Sequence, residues 1–180
     1  LQKHDVLLIG NGSGLAVGTK KLIRQLIHRC AKPQVIDADA LKIISLQEVR
    51  NSILTPHAGE FEQLLNHSGI NLRKSILQNL TEVQPHLGTN VLLLKGPTDY
   101  IVSKDRIMAN TMHDPSMTVA GTGDVLAGLC AGFLAQGYPL FESACMGAYF
   151  NGLTEKLLAH KRKGYPSLIA SDLASDISKT

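Results

Sequence analysis

Four short runs, apolar but for Gln34, each stop at a cluster of small or polar residues, and this arrangement narrows the fold more than any other feature. Val6-Leu-Leu-Ile9 ends in Gly10-Asn-Gly-Ser-Gly14, and Gln34-Val-Ile36 ends in Asp37-Ala-Asp39. Ile53-Leu54 ends in Thr55-Pro-His57, and Val91-Leu-Leu-Leu94 in Lys95-Gly-Pro97. A strand that is apolar at every position has both faces covered, as in parallel sheets. Residues 6–9 are therefore expected inside a sheet, buried on both faces. Leu22, Ile23, Leu26 and Ile27 recur at helical spacing, which predicts a helix over 18–29 that Pro33 stops. Further helices are read over 59–66, 72–85, 123–136, 140–160 and 171–177, and a hairpin over 100–102 and 106–109. Strands alternating with helices imply an α/β fold: a mostly parallel sheet with helices on both faces, one domain over 1–180. Ligands of such sheets bind at the carboxyl ends of the strands, so the four polar clusters are expected on one rim.

Composition removes other classes. Lys and Arg number 18 against 15 Asp and Glu, a net charge of +3 with histidine neutral. That charge is too small, and the aromatics too few, for a nucleic-acid partner. No apolar run reaches the roughly 18 residues of a membrane span, and no signal peptide is evident, so the reading is cytoplasmic with no membrane partner. Cys30, Cys130 and Cys145 are odd in number, far apart and in apolar surroundings. They read as reduced structural thiols. The chain opens on Leu1 rather than Met, and is read as lacking an N-terminal segment or as one half of a longer protein.

The strongest chemical signal is Ala120-Gly-Thr-Gly-Asp-Val-Leu-Ala-Gly128. Glycines leave the N–H groups of a helix N-terminus bare, and those donors with the helix dipole form an anion site. Asp124 would sit in the first turn, where it could take a proton from a hydroxyl attacking phosphorus. The competing reading has Thr122 capping the helix and Asp124 serving the dipole. Small residues Gly128, Ala131 and Gly132 are expected to let this helix pack closely on the sheet. Gly10, Gly12 and Gly14 suggest a ligand loop, although the spacing of a dinucleotide loop fails and a tight turn is the alternative. His57, on the rim, could bond a substrate or be structural. Lys95 could neutralise a phosphate or be a surface residue before the hairpin. Asp37 and Asp39 read as caps of the following helix, with metal-bound water as the alternative. His4, His28, His67, His86 and His160 lack ligand spacing, so no metal site is assigned.

In this order, Ile9-Gly-Asn-Gly-Ser-Gly14, Val35-Ile-Asp-Ala-Asp-Ala-Leu41, Leu54-Thr-Pro-His-Ala-Gly-Glu60, Leu94-Lys-Gly-Pro-Thr98, Met117-Thr-Val-Ala-Gly-Thr-Gly-Asp-Val-Leu-Ala-Gly128 and Ala170-Ser-Asp-Leu173 resemble the ADP/ATP-dependent NAD(P)H-hydrate dehydratases. Those enzymes have a ribokinase-like fold. The resemblance implies that hydrated nicotinamide (NADHX or NADPHX) is dehydrated back to NADH or NADPH, with ADP more than ATP as co-substrate and Mg2+ shielding its charge. It maps the catalytic base to Asp124 and substrate contacts to Gly12, His57 and Asp124. It maps nucleotide contacts to Lys95, Gly96, Pro97, Thr98, Asp99, Gly121, Thr122 and Gly123. It further implies a homotetramer, and an epimerase domain in the same or another chain. The first loop of the family usually reads Gly-Pro-Gly-Leu-Gly, where this chain has Asn11 and Ser13. Two other readings stand beside this one: a ribokinase-like kinase of a vitamin precursor or sugar, and a non-catalytic nucleotide-binding module.

Overall fold

The computed structural model describes residues 3–112, 120–161 and 169–180. Residues 117–119, which open the glycine motif before Ala120, lie outside the described residues. Six strands form one sheet in chain order: β1 (Leu7–Ile9), β2 (Gln34–Ile36), β3 (Ser52–Leu54), β4 (Val91–Leu94), β5 (Asp99–Val102) and β6 (Ile107–Asn110). β1 to β4 are parallel, while β5 and β6 add as antiparallel strands. The helices are α1 (Val17–Arg29), α2 (Ala58–His67), α3 (Ile76–Val83), α4 (Thr122–Ala135), α5 (Leu140–Lys161) and α6 (Ala170–Asp176).

Strand periodicity divides the core in two. Ile36, Leu54, Leu92, Leu94 and Val102 pack with Ile23 and Ile27 of α1, Phe61, Leu64 and Leu65 of α2, and Leu80 and Val83 of α3. Their strand neighbours Val35, Ile53, Val91, Leu93 and Ile101 pack with Leu126, Cys130 and Leu134 of α4 and Phe141, Ala144 and Ala148 of α5. Successive side chains point to opposite faces, so an all-apolar strand needs a helical layer on each side. The expected α/β architecture with helices on both faces is therefore present.

The details differ at three places. β1 pairs only with β2 and lies at the edge of the described sheet, not inside it. Leu8, the register partner of Val35, is consequently 39% exposed. The third helix begins at Ile76, not at 72, because the buried Asn79 amide clamps the backbone of Arg73, with Arg73 N–H donating at 2.6 Å and Asn79 Nδ2 donating to its carbonyl at 3.2 Å. That clamp folds the chain back where a helix would have run straight. Gly128 and Gly132 do not pack on the sheet; a Cβ on either would meet open space. The close approach of α4 lies instead at Gly147 of α5, where a Cβ would fall 2.6 Å from Cys130 Sγ.

All three cysteines are free. Burial pushes the Cys130 thiol up to about 12 and the Cys145 thiol up to about 11. They are held protonated, in keeping with a structural role. His4, His28, His67, His86 and His160 are all exposed. No helix among the described residues is long and apolar enough to cross a membrane.

Candidate active site

The parallel register of Ile9, Ile36 and Leu54 brings three strand ends level, and a further parallel bridge between His57 and Lys95 continues the row. The polar clusters do share one rim. Its first member is the loop after β1. Gly10 adopts φ +121°, and a Cβ there would lie 1.8 Å from the Asp37 carbonyl oxygen, so only glycine lets the loop approach β2. Ser13 N–H then donates to the Gly10 carbonyl at 3.3 Å, closing a turn with Gly12 at φ +61°.

That turn aims Asn11 into the rim. Its Nδ2 donates to Asp37 Oδ2 at 2.8 Å and to Asp124 Oδ1 at 2.6 Å. Asp37 is 1% exposed. Its other oxygen accepts from Thr55 Oγ1 at 2.8 Å and from Lys95 Nζ at 2.9 Å. Asp37 begins a 3-10 turn over Ala38–Ile43 but makes no side-chain cap bond to it, which corrects the capping reading. A buried carboxylate is costly unless charge and donors surround it. Here a cation, a hydroxyl and an amide do so. Ala38, immediately after, sits at φ +50°, a left-handed conformation costing about 1–2 kcal/mol for a residue with a Cβ. Asp39 does not cap either. It accepts from Gly14 N–H at 2.9 Å and pairs with Lys42 at 2.8 Å. The Lys42 hydrogen bond, then the Gly14 N–H, hold the Asp39 carboxyl below its ordinary range, and Asp39 in turn raises Lys42.

Opposite stands the N-terminus of α4. Its cap is Gly121 at φ +93°, so Thr122 is the first helical residue and not the cap. A Cβ on Gly121 would fall 2.9 Å from Ala170 Cβ, which seats the start of α6 against the glycine loop. Asp124, in the first turn of α4, is exposed. A Cβ on Gly123 would lie 3.2 Å from Lys95 Nζ, so the ammonium rests against the helix start. A cation there opposes the helix dipole. The Asp37 carboxylate, 2.9 Å from Lys95 Nζ, offsets it.

The segment after β4 is a bend pinned from inside. Asp99 is 2% exposed and accepts from Gly96 N–H at 3.2 Å and from Asn110 Nδ2 at 3.3 Å. Gly96 and Pro97 are exposed and Thr98 is half-buried, so the bend presents its backbone while the Asp99 carboxylate faces inward. His57 caps α2: its Nδ1 accepts from Gly59 N–H at 3.1 Å and Glu60 N–H at 3.3 Å, while Glu60 accepts from His57 N–H at 3.0 Å. Accepting at Nδ1 places the proton on Nε2. The ring remains 59% exposed on the rim, with Nε2 3.4 Å from Glu60 Oε1.

The structure thus joins Asp124, Lys95 and Gly123 through Asn11 and Asp37, with His57 beside Lys95 on the next strand end. Gly12 is exposed on the turn above them. Asn11, Asp37 and Thr55 are members that sequence reasoning did not assign to the site. Their shared signal is position, the first residues after an apolar run.

A sequence model of the NAD(P)H-hydrate dehydratase family matches residues 1–179. The chain belongs to that family. Among its relatives, the bifunctional NAD(P)H-hydrate repair enzyme Nnr of Hyperthermus butylicus is 37% identical over 98% of this chain and 34% of its own length. The ADP-dependent (S)-NAD(P)H-hydrate dehydratase of Cenarchaeum symbiosum is 41% identical over 79% of this chain and 51% of its own. The chain therefore spans about a third to a half of these curated relatives. A ribokinase-like superfamily protein from Enterococcus faecalis superposes with TM-score 0.83 at 28% identity, over 97% of this chain and 62% of that one. The Bacillus subtilis ADP/ATP-dependent NAD(P)H-hydrate dehydratase superposes with TM-score 0.79 at 24% identity, over 97% and 64%, and so speaks to the fold. The expected ribokinase-like architecture of an NAD(P)H-hydrate dehydratase is the one observed.

Proposed function

We propose that this chain carries the nucleotide-dependent dehydration of NADHX and NADPHX, restoring NADH and NADPH. The observation that carries the reading is an exposed carboxylate, Asp124, held by Asn11 at the start of α4 beside Lys95. A base next to a phosphate seat suits phosphoryl transfer to a hydroxyl. Asp124 takes the proton of the ring hydroxyl as its oxygen attacks the terminal phosphorus, and the bond from that phosphorus to the nucleotide breaks. The ring carbon–oxygen bond then breaks with phosphate leaving. A proton departs from the neighbouring carbon, and the ring double bond returns. Backbone donors at Gly121, Thr122 and Gly123 stabilise charge on the transferring group. Lys95 presents its remaining donors to the phosphates, and the bend Gly96, Pro97, Thr98 and Asp99 seats the rest of the nucleotide. His57 Nε2–H and the Gly12 turn contact the hydrate.

ADP is the preferred co-substrate in this reading, supported by the ADP-dependent name of the Cenarchaeum symbiosum relative. Among the described residues no three His, Cys, Asp or Glu side chains converge on a metal position. Asp37 is already engaged by Thr55, Lys95 and Asn11. Mg2+ fits this site as an ion carried by the nucleotide phosphates, where it neutralises their charge. The cytoplasmic setting and homotetramer belong to the same proposal, as does an epimerase domain, which the bifunctional relatives favour.

The test incubates the chain with NADPHX and ADP or ATP, following the reduced-nicotinamide absorbance and free phosphate. Absorbance should return with one phosphate released per cofactor. A stable phosphoester on a small alcohol would make the chain a kinase instead. Nucleotide binding without turnover would make it a binding module.

A further inference from the structure

The Asn11 amide touches two carboxylates at once, and the two are of opposite kinds. Asp37 is buried and fixed by Thr55 and Lys95, whereas Asp124 is exposed on the first turn of α4. Their link is one NH2 group, at 2.8 Å to Asp37 Oδ2 and 2.6 Å to Asp124 Oδ1. A primary amide has two hydrogens, one for each. An exposed aspartate would otherwise sample several rotamers; this one is tied to an anchored partner.

The turn that carries Asn11 has no need of asparagine. In a turn closed from Gly10 to Ser13 with Gly12 at positive φ, Asn11 holds the second position, which favours proline. Asparagine there gives up that stiffness and supplies a donor that proline lacks.

We propose that Asn11 is a positioning residue for the reaction: its amide transmits the rigidity of the buried Asp37–Lys95–Thr55 cluster to Asp124 and aims the Asp124 carboxylate at the reacting hydroxyl. The assignment rests on the dehydratase reading above. It acts through Asp124 and needs no contact between Asn11 and substrate.

The experiment compares Asn11→Pro, which removes the donor and stiffens the turn, with Asn11→Ala, which removes the donor alone. Each is made in the wild type and in Asp124→Asn, and assayed on NADPHX with ADP. A misaligned base costs roughly 10- to 100-fold. Both variants should lose that much kcat with an unchanged KM for ADP, and neither should slow the Asp124→Asn enzyme further. Thermal melting shows which variants are folded, and the comparison is read in those that keep the wild-type curve. Loss of fold in both would make Asn11 a structural residue and end the assignment. Wild-type kcat in a folded variant overturns it, as does a loss that recurs undiminished without the Asp124 carboxylate, since a general loop defect would act in both backgrounds. Either result leaves the dehydratase reading standing. A wild-type chain inert toward the hydrate would remove that reading and this assignment together.

Discussion

At the scale of single residues, Lys95 combines two duties. Its ammonium is 2.9 Å from Asp37 Oδ1, with side chains 20% and 2% exposed, and it also borders Gly123. Removing one partner of a buried pair leaves the other charge uncompensated, at a cost of about 3–5 kcal/mol. Lys95→Met should lose stability of that order in urea denaturation even without nucleotide. Adding Asp37→Asn should recover most of it, because no buried charge remains. If Lys95→Met unfolds at the wild-type urea midpoint, the pair contributes nothing to the fold. Weakened nucleotide binding by that variant could then be assigned to lost phosphate contacts alone. Asp37 also shows why local reading stops short. A polar residue before a turn reads as a cap, yet the partners of this one stand 18 and 58 residues along the chain. Nothing within a few positions of Asp37 announces them. The place of Asp124 in the first turn of α4 was readable because its own helix start sets it.

Among elements, α4 shows the same chemical change taking opposite signs. Gly147→Ala on α5 would place a methyl 2.6 Å from Cys130 Sγ and 3.3 Å from Cys130 N, in the packed face between α4 and α5. Overpacking of this kind costs about 1–3 kcal/mol. Gly128→Ala, in the middle of α4 and facing open space, should instead gain up to about 1 kcal/mol from helix propensity. Melting temperatures of the two variants should move in opposite directions. Equal shifts would mean that α4 and α5 do not approach as described. The strands, the hairpin and six helices were readable because each is set by period and punctuation within ten or so residues. The packing of α4 was not, since small residues along a helix do not say which of them meets a neighbour. The start of α3 escaped for a similar reason: the Asn79 clamp on Arg73 is a side-chain bond, not a pattern.

For the whole molecule, the sheet was legible as a parallel, doubly covered layer, while the edge position of β1 was not. Leu7, Leu8 and Ile9 are as apolar as the inner strands, and only pairing decides which strand is outermost. Strand order has a further consequence. Because β1 to β6 lie in chain order, each new strand joins its predecessor by closing only the loop between them. The Asn11–Asp124 contact spans 113 residues. Loop closure grows costlier with length and long-range contacts form late. The strands can therefore begin to pair on α1, α2 and α3 while the two halves of the candidate site are still apart. Only the docking of α4 and α5 completes them. Native-state amide exchange should show α4 opening at lower free energy than β2, β3 and β4; one common opening would contradict this. Loosening of the α4 and α5 layer is then expected to part Asn11 from Asp124 and uncover Val35, Ile53 and Leu93 before the paired strands open.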